Sequence, residues 1–406
     1  MDGIGIRDRD RTRVSSGEAL NFRWIDSADG LEGVIRDLSG VERYAIDTEF
    51  HRERTYFPAL ALVQLAWGDQ IVIVDPTVID PRQLGELFNS DAEAVFHAAQ
   101  QDLDVLGHAV GVIPRRMFDT QIAGGFLGYG TPSLAALSAA EVGITPAKGD
   151  RLTDWLRRPL TPAQLQYAAA DVANLLEIRD RLVARLEDRG RAQWATDAIE
   201  ELRSRRNGAG DPEDAWLRLK DVRGLKSRAR AVAQAVAAWR ERRAMRLDIP
   251  VRQVLPDLAV LGIAQRQPTD ERDLAQARGV DGRVRGSVAT EVLAAVAEGL
   301  AAEPPAVPTG GDELDRELRP AVTLISAWVA QVARAEDVDT AMLATRADLV
   351  ALLSGDPAAR LASGWRAELL GDDIRALVGG SAALTFVPGV DRRPGGLRLV
   401  RSDPVG

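Results

Sequence analysis

Apolar positions between residues 22 and 74 fall into short runs: "FRWID", "RYAIDTEF", "ALALVQLAWG" and "QIVIVDP". Each carries β-branched or aromatic residues and ends near Gly, Asp or Pro, which predicts strands. Further along, the apolar spacing changes to threes and fours in "PRQLGELFNS", "AAQQDLDVLGHAV", "DTQIAGGFLG" and "SLAALSAAEVG", which predicts helices. A longer helix is expected over 162–205, with Thr161 as N-cap and Pro162 in its first turn. Strands first, with helices mixed in afterwards, suggest an α/β domain over 21–205.

Beyond 205 strand-like runs cease, and Pro/Gly-rich breaks at 203–214 and 301–313 separate two helical stretches. The organisation expected is a flexible leader at 1–20, the α/β domain at 21–205 and a helical domain at 206–298. A linker at 299–315, a second helical domain at 316–385 and a loosely ordered tail at 386–406 follow. The length of 406 residues agrees with two or three domains.

Composition removes several classes of chemistry. The absence of cysteine excludes a disulfide framework and thiolate zinc sites. Three histidines, His51, His97 and His108, leave little material for histidine-based metal sites or triads. Residues 1–20 lack the apolar core of a signal peptide, and no run has the length of a membrane span, so a cytoplasmic protein without membrane contact is expected. A net charge of −9 argues against nucleic-acid binding by the chain as a whole. Residues 216–246, however, hold ten Lys/Arg against Asp221 and Glu241, a local balance of +8. Such a cluster is enough to attract a phosphate backbone, although a charge run is more often a solvated helix face.

The sharpest chemical signal is "RYAIDTEF" (43–50). Residues two apart on a strand project to the same side, so Asp47 and Glu49 converge, roughly 5–7 Å apart. Two bare charges about 4 Å apart repel by roughly 4 kcal/mol at an effective dielectric of 20, a penalty that a hard divalent cation removes. Taken alone, the pair reads as an exposed strand with acids facing water. Two further segments shift the balance. "VFHAAQQDLDVL" (95–106) is a strand-like piece followed by a helix bearing Asp102 and Asp104, and "YAAADVANLLEI" (167–178) sets Tyr167 four residues before Asp171. On a helix that spacing places phenol and carboxylate on one face.

Asp-x-Glu on an early strand, an Asp about 53 residues later and Tyr-x-x-x-Asp near the end of the α/β domain form an ordered set. This pattern resembles the DEDD superfamily of 3′–5′ exonucleases, in the subgroup whose third motif carries tyrosine. The segments "AIDTEFHRERTYFPALALVQLA", "FHAAQQDLDVL", "FDTQIAGGFLGYG" and "DWLRRPLTPAQLQYAAADVANLL" are similar to the bacterial ribonuclease D family. The resemblance implies a ribonuclease H-like mixed sheet flanked by helices, with Asp47, Glu49, Asp102, Tyr167 and Asp171 as the catalytic set. It also implies two divalent ions, Mg²⁺ or Mn²⁺, held by Asp47, Glu49, Asp102 and Asp171, with Glu49 and Tyr167 orienting the attacking water. The expected role of Asp102 is support of the second ion through water. Each turnover would release a nucleoside 5′-monophosphate.

Other residues near the motifs are weaker candidates. Arg52, Arg54 and His97 lie close enough in sequence to meet substrate, and Gln64, in an apolar strand, is a candidate ribose contact. Arginines on loops and histidines beside strands are also ordinary surface and packing residues. The glycines of "GGFLGYG" read as a turn, since no Lys-Ser/Thr of a phosphate loop follows.

Residues 214–280 resemble an HRDC domain, the helical module also found in RecQ helicases, and 316–380 resemble the second, more divergent helical unit of ribonuclease D. Lys226, Arg228, Arg240 and Arg243 are the backbone contacts this resemblance suggests. Two such HRDC-type units beside an exonuclease domain suggest a funnel for RNA with a single-stranded 3′ end, such as a tRNA precursor, served by a monomer. The alternatives are a 3′–5′ DNA exonuclease, since the acids do not distinguish sugars, and an RNA-binding scaffold with a dormant site.

Overall fold

The computed structural model describes residues 19–145, 153–205, 210–306, 318–389 and 395–401. The expected leader lies outside the described residues except for Ala19 and Leu20, and the expected linker does so from 307 onward.

Strands β1 (Arg23–Ile25), β2 (Arg43–His51), β3 (Ala59–Trp67), β4 (Gln70–Val74), β5 (Glu93–Phe96) and β6 (Arg116–Asp119) form one mixed sheet in the order β1-β4-β3-β2-β5-β6. The β2–β3–β4 meander is antiparallel, whereas β1, β5 and β6 pair in parallel with their neighbours. Alternation along β2 sends Tyr44, Ile46 and Thr48 to one face and Ala45, Asp47 and Glu49 to the other. Tyr44 and Ile46 pack with Val63, Leu65 and Val72 under the helix Ala28–Leu38, whose buried Leu31, Val34, Ile35 and Leu38 follow helical spacing. On the opposite face, Ala45 and Ala66 join Val172, Leu175 and Ile178.

β2 pairs with β3 over residues 45–51 but with β5 only over residues 43–45. Its second half, from Ile46 to His51, thus projects past the end of β5. A shift of register between Glu49 and Phe50 bends the strand there, as a bulge does.

The single helix expected over 162–205 is three: Pro162–Ala173, Leu175–Asp188 and Ala192–Ser204. Asn174, at φ −112° and ψ 0°, ends the first, and Gly190, at φ +67°, turns the chain between the other two. The breaks let each piece bury its own apolar stripe: Ala168, Ala169 and Val172; then Leu175, Ile178, Leu182 and Leu186; then Ala195, Ala198, Ile199 and Leu202. The apolar spacing runs on through both turns, which is why the sequence reads as continuous.

The helices of 212–301 surround their own core, built on Val232, Val236, Ile263 and Val292. Gly299 brings the helix Ser287–Ala301 against the helix Ser227–Leu247, since a Cβ there would lie 2.6 Å from Val232 Cα. The C-terminal helices behave differently. Arg319–Glu336, Arg346–Leu353 and Asp372–Val378 share one continuous core with Phe126, Ile178 and Leu182 of the α/β unit. Trp365 stacks on Trp194 at 4.8 Å and meets Phe126 edge-on at 5.3 Å.

The tail expected to be loosely ordered from 386 contains instead most of an antiparallel hairpin, β7 (Ala382–Val387) with β8 (Gly396–Arg401). The Pro- and Gly-rich piece between the strands masks the alternation on either side of it. Among the described residues, no helix is long and apolar enough to cross a membrane.

Candidate active site

Asp47 and Glu49 lie on the projecting half of β2, side by side on the face covered by the helix Pro162–Ala173. That helix starts cleanly: Thr161 and Gln164 form a reciprocal capping box, and Pro162 occupies the first turn. Its fixed start sets the rotation that turns Tyr167 and Asp171 toward β2. One oxygen each from Asp47, Glu49 and Asp171 lies within 4.8 Å of the others, close enough for a shared cation.

Asp102 reaches the same place from the other side of the sheet. Its helix, Gln100–Ala109, begins just after β5, where the missing β5 partner leaves space beside β2. The buried carboxylate accepts a short hydrogen bond from Thr48 Oγ1, on the face of β2 opposite Asp47. Asp102 thus stands beside the trio of acids without joining it. Thr48 is a residue that sequence reading missed, although its place between the two acids was the available signal.

Electrostatically the site is primed for positive charge. Burial, then the charge of Asp171, holds the Asp47 carboxyl well above the usual carboxylate range. Burial and the neighbouring acids push Glu49 up to about 9. Burial raises Asp171 to about 7, opposed by its hydrogen bond with the Tyr167 phenol. Asp102 is raised well above its ordinary value by burial and Asp47, and the Thr48 bond opposes this. Burial, with Asp171 next, also raises the Tyr167 phenol. Four inward carboxyls that resist ionisation together are the donor set expected around hard divalent cations, which favour oxygen ligands.

Tyr167 is braced by a second residue the sequence did not single out. Trp155 stacks against its ring at 6.0 Å. The Trp155 segment is tied to the sheet by Arg158, which donates to both oxygens of buried Asp75 at 2.7 and 2.6 Å, to Ala61 O at 2.9 Å and to Trp155 O at 2.7 Å.

The remaining candidates divide. Arg52 lies over the Phe50 ring at 4.9 Å and 3.6 Å from Asp104, and largely exposed Arg54 lies 3.5 Å from Asp154; both sit on the loop that leaves β2. Lys226 and Arg228 are exposed and line a groove of about 380 Å³ with Gln265 and Gln267. Of the other four, Gln64 and Arg240 are corrected by their burial, while His97 and Arg243 are engaged by partners within the protein. Gln64 sits opposite Asp47 on β3 but is fully buried under the covering helix, out of reach of a ribose, with neither amide atom partnered among the described residues. His97 is turned inward, its Nδ1 2.9 Å from Thr120 Oγ1, and burial lowers its pKa. Buried Arg240 donates to Leu255 O at 3.0 Å and Asp257 at 2.6 Å. Arg243 donates to both oxygens of Glu291 at 2.9 Å. Arg240 and Arg243 hold their helical unit together, so part of the +8 run is neutralised internally.

A mixed sheet with acids converging from a projecting strand, a neighbouring helix start and a Tyr-x-x-x-Asp helix is an arrangement suited to a metal-dependent nuclease. Residues 22–187 match the 3′–5′ exonuclease family and residues 229–296 the HRDC domain. The chain is 38% identical to ribonuclease D of Gluconacetobacter diazotrophicus, across 89% of this chain and 93% of that protein. It is also 38% identical to ribonuclease D of Nitrobacter hamburgensis, across 88% and 96%. The crystal structure of Escherichia coli ribonuclease D, described as an exoribonuclease involved in structured RNA processing, superposes with a TM-score of 0.81 at 29% identity, covering 89% of this chain and 99% of that one. The chain belongs to the ribonuclease D family, and it is a metal-dependent 3′–5′ exoribonuclease.

Proposed function

We propose that this chain shortens RNA from a single-stranded 3′ end, one nucleoside 5′-monophosphate at a time, and that its substrates are structured RNAs such as tRNA precursors. It acts as a monomer in the cytoplasm. The observation carrying the chemistry is the convergence of Asp47, Glu49 and Asp171, with Asp102 and Tyr167 beside them.

Asp47, Glu49, Asp102 and Asp171 would hold two divalent ions, Mg²⁺ or Mn²⁺. When bound, such ions activate water for in-line attack and stabilise the departing 3′ oxygen. The protein's own part is placement. Glu49 and Tyr167 would orient the attacking water, with the phenol held by Asp171 and by the Trp155 ring. Arg52 and Arg54 meet phosphates of the entering strand, and Lys226 and Arg228 contact the RNA backbone further out. Contacts to phosphates alone grip without reading sequence, which suits trimming of many ends.

The test is a competition between RNA and DNA oligonucleotides of one sequence, with the released mononucleotides separated by chromatography. Nucleoside 5′-monophosphates released mainly from RNA support the proposal. Equal rates on both sugars overturn the RNA assignment, and 3′-monophosphates overturn the bond assignment.

A further inference from the structure

Asp119 ends β6 and is buried, 1% exposed. Its carboxylate accepts from four backbone N–H groups. Oδ1 takes Gln121 at 2.8 Å and Ile122 at 3.2 Å, capping the helix Thr120–Gly125. The same oxygen takes Ala98 at 3.2 Å, and Oδ2 takes Ala99 at 2.8 Å. Those two residues form the turn from which the Asp102 helix starts. That helix has Ala99 at its N-cap and no side-chain cap of its own, so Asp119 acts as a cap supplied from another strand. The turn needs holding, because Ala98 adopts φ +61°, an uncommon conformation for a residue with a Cβ. Thr120 adds to the grip, donating from Oγ1 to Phe96 O at 3.0 Å.

Asp102 is the third residue of the helix so anchored, and its carboxylate position follows the position of the turn. We infer that Asp119 is a positioning residue for Asp102: by pinning the 98–99 turn to the end of β6 it sets where the Asp102 carboxylate meets the acids of β2. This inference rests on the proposed role of Asp102 at the metal site. Asp119 itself acts through the turn and not as a ligand, since it is 1% exposed and both its oxygens already accept from backbone donors.

The experiment measures Mn²⁺ binding by the paramagnetic resonance signal of the free ion, in the full chain, with thermal melts alongside. Asp119→Ser keeps a hydroxyl cap for the Thr120–Gly125 helix but is too short to reach Ala99. Its Mn²⁺ affinity is expected to fall by about tenfold or more, the usual cost of losing a group that orients a ligand. In an Asp102→Asn background the same change is expected to cost roughly twofold at most, because the two residues act through one contact. Should the serine variant not fold, Asp119→Asn, which loses only the acceptor for Ala99, is read in the same two backgrounds. Unchanged affinity in the single variant, or an equal loss in both backgrounds, overturns the inference while leaving the metal site standing. A wild type that binds no Mn²⁺ overturns the metal-site reading, and this inference with it.

Discussion

Three carboxyls whose oxygens lie within 4.8 Å cannot all carry charge cheaply in a half-buried site, and this makes the metal-free protein sensitive to pH. A carboxyl whose folded pKa exceeds its unfolded one stabilises the fold below the unfolded value and loses that contribution as pH rises through the folded value. For Glu49 the window runs from 4.5 to about 9, and for Asp171 from 3.8 to about 7. Stability without metal therefore declines across this range, and a divalent ion offsets the decline because it competes with the same protons. Melts with Mg²⁺ and with chelator should differ more at about pH 9 than at about pH 5; equal differences would show that the ion binds elsewhere. The order and spacing of Asp47, Glu49, Asp102, Tyr167 and Asp171 were legible in the sequence, whereas their proposed catalytic roles come from the family resemblance. Gln64 was misread because sequence shows which face a strand residue takes but not what covers that face.

At the scale of elements, the loop leaving β2 is gripped by the helix Ser227–Leu247. Asp248, just past its end, accepts from the backbone N–H groups of Tyr56 and Phe57 at 3.1 and 3.0 Å, and Tyr56 Oη donates to Glu241 at 2.6 Å. Phe57 in turn stacks on His108 at 4.0 Å. This clasp joins the HRDC unit to the strand that carries Asp47 and Glu49. The exposed Lys226 and Arg228 lie at the far end of the same helix, about 30 Å away at 1.5 Å per residue. Asp248 sits at φ +47°, so Asp248→Gly keeps the backbone conformation while removing the acceptor. We expect this variant to weaken the clasp by about 1–3 kcal/mol, the cost of a charge-assisted bond. Small-angle scattering should then report a larger radius, with trimming of a structured RNA slowed more than hydrolysis of a small phosphodiester. An unchanged radius would mean that the clasp is dispensable. No local pattern announces such a contact: Tyr56 and Asp248 stand 192 positions apart and look like ordinary loop residues.

Across the whole molecule the two helical units have different standing. The HRDC unit owns its core, whereas the helices of 319–378 complete the core of the α/β unit. Trp365→Ala, which removes a ring buried between Trp194 and Phe126, should cost about 3–5 kcal/mol and unfold the exonuclease unit along with the C-terminal helices, seen as one cooperative denaturant transition. A separate early transition of the C-terminal part would contradict a shared core. Fold class was legible because strand and helix periods differ in the first half of the chain. The shared core was not, since apolar stripes such as those of Leu175–Asp188 and Arg319–Glu336 give no hint of which stripe meets which. Removal of nucleotides from RNA 3′ ends is expected to depend on the acids of β2. The most direct test is a time course on a 5′-labelled RNA with a 3′ overhang and Mg²⁺, comparing wild type with Asp47→Ala. Stepwise shortening by the wild type is predicted, stopped by chelator and slowed at least about 10²–10³-fold by the substitution. Shortening that survives the loss of Asp47, or RNA that is bound tightly and left intact by the wild type, would rule out catalysis by these acids.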